Sequence, residues 1–216
     1  MKLLHIMLVA LATTARAQSA DELTLLNVAA ENTVYRGVKA VRVVQSLGPS
    51  QASFNTLALV KADTFGDGVI ELDMAGALRK DAPDLGSGFL GVAFHIQPQT
   101  RAYEMFYVRP NNARAPDQLR RNHATQYVSF PDWSWERTRK ETPGLYESYA
   151  DLEVAAWTRV RIVVTGVKAE LYLNGAAQPC LIVNDLKLGA ARGAIGFWVG
   201  SGGEAYFANL HVVPKP

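Results

Sequence analysis

The feature that most constrains this chain is a rhythm. Short runs rich in Val, Ile, Phe and Tyr are broken by Gly, Pro, Asn or Asp about every 8 to 12 residues, the spacing of strands and turns in a sandwich or barrel. The rhythm predicts strands over 23–28, 39–45, 55–61, 68–74, 89–96, 102–108, 125–130, 157–165, 168–173, 180–184, 193–199 and 204–213. No window of a dozen residues carries a helical apolar stripe. The expected class is therefore all-β, a sandwich or a barrel.

Alternation assigns faces, because successive strand side chains point to opposite sides. Ile70, Leu72 and Met74 are expected to face the core, with Glu71 and Asp73 together on the other side. Leu90, Val92, Phe94 and Ile96 are expected inside, leaving Gly91, Ala93 and His95 opposite. In the next strand Phe106 and Val108 point inward, while Tyr103, Met105, Tyr107 and Arg109 point outward. Neighbouring strands would thus present a polar and aromatic outer face. Tight turns are expected at Thr165-Gly166-Val167-Lys168 and at Asn174-Gly175.

The first 17 residues read as a cleavable export signal: Met1-Lys2, the apolar run Leu3 to Ala12, then Ala15-Arg16-Ala17. Cleavage is expected after Ala17, with residues 18–216 forming one domain in the periplasm or outside the cell. No apolar run reaches the roughly 20 residues a membrane span needs. Loss of Lys2 and Arg16 with the signal leaves 20 basic and 20 acidic side chains, a balance that does not argue for nucleic acid or an anionic membrane, and export makes nucleic acid the weaker expectation. Cys180 is the only cysteine, so an intramolecular disulfide is excluded.

Residues 109–156 break the rhythm. They place Arg114, Arg120, Arg121, Arg137, Arg139 and Lys140 among Tyr127, Trp133, Trp135, Tyr146 and Tyr149, with prolines at the corners. A long insertion on a rigid sandwich is where function is expected. Residues 101–140 hold eight basic and four acidic side chains, a local excess suited to phosphate, sulfate or uronate groups.

The runs Gly91-Val92-Ala93-Phe94-His95, Tyr103 to Pro110, Gln126-Tyr127, Trp157 to Val164, Gly193 to Trp198 and Ala205 to Leu210 together resemble the concanavalin A-like lectin/glucanase superfamily. The similarity is to a bacterial exported branch near the laminin-G-like and 3-keto-disaccharide hydrolase-like domains. It covers nearly the whole mature chain and implies a jelly-roll sandwich. It also implies work on carbohydrate, by lectins, glycan-binding modules or glycosidases. Calcium, which the laminin-G-like resemblance allows, would use Asp63, Asp67 or Asp73 with carbonyl oxygens. No other metal or cofactor is expected.

Two constellations carry chemistry. Glu71 and Asp73 share a strand face, and retaining glycosidases need two carboxyl groups about 5 Å apart. The family 16 glucanases of this fold use Glu-x-Asp-x-(x)-Glu on one strand, whereas Glu71 to Gly76 lacks the last glutamate. The second constellation is His95, Glu104, Tyr107 and Arg109 with Gln126 and Tyr127. It offers an acid or base, a planar fork for carboxylates and rings for sugar stacking. Structural pairing of the buried Glu104 is the competing interpretation. Trp133-Ser134-Trp135 is either an aromatic platform or a small loop core.

The glycine fingerprint Gly86-Ser87-Gly88-Phe89-Leu90-Gly91 runs into a strand pattern instead of a helix and reads as a turn. The leading expectation is an exported glycan-binding domain that holds an oligo- or polysaccharide through Tyr107, Arg109, Gln126, Tyr127, Trp133 and Glu104. The alternatives are a glycoside hydrolase or lyase using His95 with Glu71 or Asp73, and a scaffold module that binds another protein.

Overall fold

The computed structural model describes residues 19–46, 55–60, 64–79, 88–99 and 101–215. The proposed signal at 1–17 and the calcium candidate Asp63 lie outside them. Among the described residues the chain forms fourteen strands, three short α-helices and a single 3-10 turn at Ala20–Glu22. The strands are β1 (Leu23–Leu26), β2 (Val28–Tyr35), β3 (Val38–Gln45), β4 (Leu57–Val60), β5 (Gly68–Leu78), β6 (Leu90–Ile96) and β7 (Tyr103–Val108) in the first half. They continue as β8 (Thr125–Phe130), β9 (Glu147–Ser148), β10 (Thr158–Thr165), β11 (Lys168–Leu173), β12 (Leu181–Val183), β13 (Ala194–Val199) and β14 (Gly203–Pro214). One antiparallel sheet runs β1-β4-β13-β6-β7-β8-β9, and the other runs β12-β11-β10-β5-β14-β3-β2. This is a jelly-roll sandwich, as expected.

The apolar parity of the strands builds the space between the sheets. Val92, Phe94, Phe106 and Phe197 from one sheet meet Val41, Ile70, Leu72, Ile162 and Phe207 from the other, all buried. Phe197 on β13 and Phe207 on β14 lie 4.4 Å apart and 6° from parallel, one ring from each sheet. The expected turns are present. Gly166 takes φ 59°, while Asn174 and Gly175 both adopt the left-handed region, at 52° and 74°. The expected pattern omits β2 and β9. β2 is an edge strand with little burial, so it lacks clean alternation, and β9 has only two residues.

The expected polar outer face of β6 and β7 is corrected by the structure. Tyr103, Met105 and Tyr107 are buried with Leu57, Ala93, Val128 and Trp198 in a second apolar cluster. These side chains are mostly apolar, so mutual burial is favoured over exposure. Ile96 joins this cluster instead of the inter-sheet core, because β6 carries a bulge. Ala194 pairs with Ile96 but Gly196 pairs with Ala93, leaving one extra residue in β6, and His95 takes φ 53° there. The extra residue reverses the parity of everything after it.

No helix among the described residues is long and apolar enough to cross a membrane. The helices fall in the 109–156 insertion and are each shorter than a dozen residues: α1 (Pro110–Ala113), α2 (Gln118–Asn122) and α3 (Trp135–Glu141). Asp117 caps α2 by accepting the Arg120 N–H at 2.7 Å, and Ser134 occupies the same position before α3.

Replacing Phe197 by alanine removes the stacked contact between the sheets. The expected cost is about 3–5 kcal/mol, read from the urea unfolding midpoint.

Candidate functional site

The site begins as a row of residues across one sheet. Trp198, Gly91, Tyr107, Gln126 and Glu147 lie opposite one another on β13, β6, β7, β8 and β9. Gly91 is required in that row. A Cβ there would stand 2.6 Å from Tyr107 Cβ and 2.5 Å from the Phe106 carbonyl oxygen. Its absence lets the Tyr107 ring approach Trp198, with centroids 5.2 Å apart.

Arg109, one residue beyond β7, reaches across the row. Its Nη2 donates to Tyr107 Oη at 2.5 Å and to Gln126 Oε1 at 3.0 Å. Its Nη1 donates to the His123 carbonyl at 2.9 Å and lies 3.3 Å from Glu147 Oε1. Gln126 in turn donates through Nε2 to the Tyr146 carbonyl and to Thr138 Oγ1 on α3. Burial pushes the Tyr107 hydroxyl up to about 12, so it is neutral at physiological pH and accepts from Arg109.

Glu147 is the centre of charge. Its side chain is 3% exposed, and Arg139 on α3 holds it with Nε at 2.9 Å and Nη2 at 2.6 Å from Oε1. His123 Nδ1 lies 2.7 Å from Oε2. Burial depresses the His123 imidazole below its ordinary range, and the Arg139 and Arg109 guanidiniums depress it further, against the upward pull of Glu147. One buried carboxylate thus binds β7, β9, α3 and the end of α2 together.

Above this network is a cleft of about 610 Å³, lined by Leu119, Asn122, His123, Arg139, Pro143, Gly144, Glu147, Ser148 and Tyr149. Gly144, at φ 78°, turns the chain from α3 towards β9. Tyr149 is 38% exposed, and its hydroxyl accepts from Arg121 Nη2 at 3.1 Å. Arg121 also lies over the Tyr149 ring, 5.1 Å from its centroid. The arrangement offers one aromatic ring, several hydrogen-bonding groups and a surplus of cations.

The structure brings Tyr107, Arg109 and Gln126 together, as the sequence suggested, but as a buried support beneath the cleft. Their expected direct contact with ligand is corrected, because each is enclosed and hydrogen-bonded to protein. Tyr127 is corrected in the same way. It points between the sheets, its hydroxyl donating to Glu104 and accepting the Lys187 N–H at 3.0 Å. Glu104 also accepts the Leu188 N–H at 2.7 Å. Burial raises its carboxyl above the usual range, although the bonds from Tyr127, Leu188 and Ser129 pull the other way. Glu104 is thus structurally paired, with Tyr127 and the Leu188 N–H. Trp133 is only partly exposed, and its ring is taken by two cations, Arg137 and Lys187, each 4.0 Å from the centroid. Trp135 packs against the second apolar cluster beneath Arg139.

The expected catalytic set is not brought together. His95 is fully buried, its Nε2 3.2 Å from the Gly66 carbonyl and its Nδ1 without a partner. Along the strands it lies about 20 Å from Arg109, the rise of six residues. Glu71 and Asp73 stand on the outer side of the other sheet, opposite Arg161 and Arg159. Asp73 accepts the Asn209 amide at 2.7 Å, and Asp67 accepts the Gly166 N–H at 2.8 Å. No group of three His, Cys, Asp or Glu side chains able to hold a metal occurs among the described residues.

His123, Glu147 and Asn122 escaped the sequence reading. The available signal was one acid, Glu147, following several basic residues that include Arg121, His123 and Arg139, but pairing across 24 residues is invisible without the fold.

No family model matches the chain, and no curated protein matches it in sequence. Solved structures do match in fold. The carbohydrate binding module CBM66 from Bacillus subtilis superposes with a TM-score of 0.60 at 14% identity, over 88% of this chain and 94% of that one. A protein of unknown function with a galectin-like fold, also from Bacillus subtilis, gives 0.53 at 12% identity over 91% and 92%. A β-glucanase from Bacillus licheniformis gives 0.50 at 14% identity over 94% of each chain. The fold is the concanavalin A-like sandwich.

Glu147→Gln leaves the Arg109 guanidinium buried without its anion. The expected loss is about 3–5 kcal/mol in urea unfolding, whereas Arg137→Ala, which breaks an exposed pair with Glu141 and a ring contact with Trp133, costs about 1 kcal/mol. A second expectation concerns pH. Burial holds His95 below the ordinary histidine value of 6.5. Below that value the unfolded chain takes up a proton that the folded chain refuses, so stability is complete above it and falls as the pH drops. His95→Gln, which keeps an N–H for Gly66, should flatten the decline in unfolding midpoint between about pH 7.5 and about pH 5.5.

Proposed function

We propose that this protein binds carbohydrate in the insertion cleft and leaves it intact. The observation that carries the reading is the cleft itself, where the exposed Tyr149 ring stands beside Asn122, His123, Arg139 and Ser148. Sugar rings present apolar C–H faces to aromatic side chains and hydroxyls to polar ones, and both kinds of partner line this space. Similarity in fold to a carbohydrate binding module adds support. Binding without cleavage is supported by the state of Glu147. It is the one carboxylate lining the cleft among the described residues, and its oxygens are held by Arg139 and Arg109. Glycoside hydrolysis by the usual route needs two carboxyl groups flanking the bond. The reading includes export under the 1–17 signal, which would deliver the cleft to extracellular or periplasmic glycans.

A glycan array and a panel of soluble polysaccharides, with chromatography of every bound sugar, test this. The expected result is binding without products, weakened about tenfold in Tyr149→Ala, the size of one lost stacking contact. Cleavage products would replace the reading with an enzymatic one. Absence of binding to every sugar would replace it with the protein-partner reading.

A further inference from the structure

The charge of the cleft narrows the ligand. Glu147 is one negative charge, and two guanidiniums, Arg109 and Arg139, already face it. The cluster is therefore cationic before His123 is counted. Arg139 uses Nε and Nη2 on Glu147, its side chain is 33% exposed, and its Nη1 makes no hydrogen bond to any described residue. Arg121 adds a further cation at the mouth. Its contacts are both with Tyr149, and no carboxylate among the described residues pairs with it. Arg139 thus lines the cleft together with Tyr149, and Arg121 contacts that same ring, each guanidinium with unused donors. Guanidinium forks match the planar geometry of carboxylates and the oxygens of sulfates.

We infer that the cleft selects an anionic saccharide, with a uronate carboxylate or a sulfate ester seated between Arg121 and Arg139 and the sugar ring against Tyr149. This rests on the carbohydrate-binding reading and goes beyond it by assigning the ligand's charge. Glu147 contributes to this selection. It orders Arg139 without neutralising the cluster, so the guanidinium is presented to the ligand in a fixed orientation with a net positive charge behind it. Arg121 is held in the same manner by the hydroxyl and ring of Tyr149, neither of which cancels its charge. A neutral glycan would partly desolvate Arg121 and the net positive charge of the cluster without supplying an anion, which disfavours its entry.

The test is calorimetric titration of the full mature chain with four probes: oligogalacturonate, its fully methyl-esterified counterpart, a sulfated galactan oligosaccharide and a neutral glucan oligosaccharide. The expected result is binding of at least one of the two acidic sugars, weakening as salt rises from about 0.05 to about 0.5 M as screening predicts. The uronate and sulfate arms show which anion is preferred. The ester and the glucan are expected to bind at least about tenfold more weakly, and Arg121→Gln to weaken the acidic sugar by about tenfold, one charge-assisted hydrogen bond. Arg121 is outside the buried network, so this variant is expected to unfold at the wild-type urea midpoint. Equal or tighter binding of the neutral sugars, or binding indifferent to salt, would overturn the anionic assignment and leave the carbohydrate reading standing. Silence from all four probes, with the protein folded, would overturn both. Polyglutamate of similar length binding as tightly as the acidic sugar would overturn the saccharide requirement, because charge alone would then suffice.

Discussion

The buried Glu147 carboxylate is the interaction on which the insertion depends. An anion this enclosed is tolerable only if its oxygens are paired, and it draws partners from three parts of the chain: Arg109 after β7, His123 after α2, and Arg139 on α3. None of the three helices is long enough to be stable alone, since each has seven residues or fewer. The network supplies what local propensity lacks, because each partner fixes the end of one short element relative to the sheet. The residue at its centre belongs to a two-residue strand that joins the sheet edge only through Thr125 and Gln126. The cleft therefore has a rigid floor even though its walls are short helices and turns.

The rest of the sandwich makes that floor possible. The sheet that carries the cleft is buried on both faces, one against the partner sheet and the other in a cluster around Tyr107 and Trp198. Arg109 lies over the rings of Phe89 and Tyr107, with its guanidinium carbon 5.3 and 4.7 Å from the centroids, so its charge is screened from water by aromatic surface as well as paired. A second polar tie, Tyr127 and Glu104 with the backbone at Lys187 and Leu188, closes the same strands from the opposite side. β7 and β8 are thus held on both faces by hydrogen bonds that are almost entirely enclosed. Affinity for a ligand in the cleft would then owe little to reorganisation, since the charged groups are already oriented.

The legible part of the site was its buried part. Arg109, Tyr107 and Gln126 could be grouped because strand parity places them on one side of adjacent strands, and they do meet. Their exposure could not be read, because parity says which face a side chain takes and nothing about what covers that face. His95 shows the limit of parity itself: one extra residue in β6, unmarked by glycine, shifts Ile96 to the other face and seals the imidazole against Gly66. Composition alone leaves Trp133 and Trp135 open as a sugar platform or a small loop core. The arginines and lysine around them, equally visible in the sequence, occupy their rings.

By itself the sequence determined the all-β class and the strand pattern apart from β2 and β9, and marked the 109–156 insertion as a break in that pattern. These follow from local periodicity and turn chemistry, which act over a few residues and leave a direct imprint on the order of amino acids. Only the tertiary structure decided which of the insertion's charged and aromatic groups are buried supports and which line a cleft. That distinction depends on contacts such as Arg139 with Glu147 and Arg121 with Tyr149, between residues brought together by the path of the sheet. The energy of a charge is set by what surrounds it in space, and neighbours in space are not neighbours in sequence.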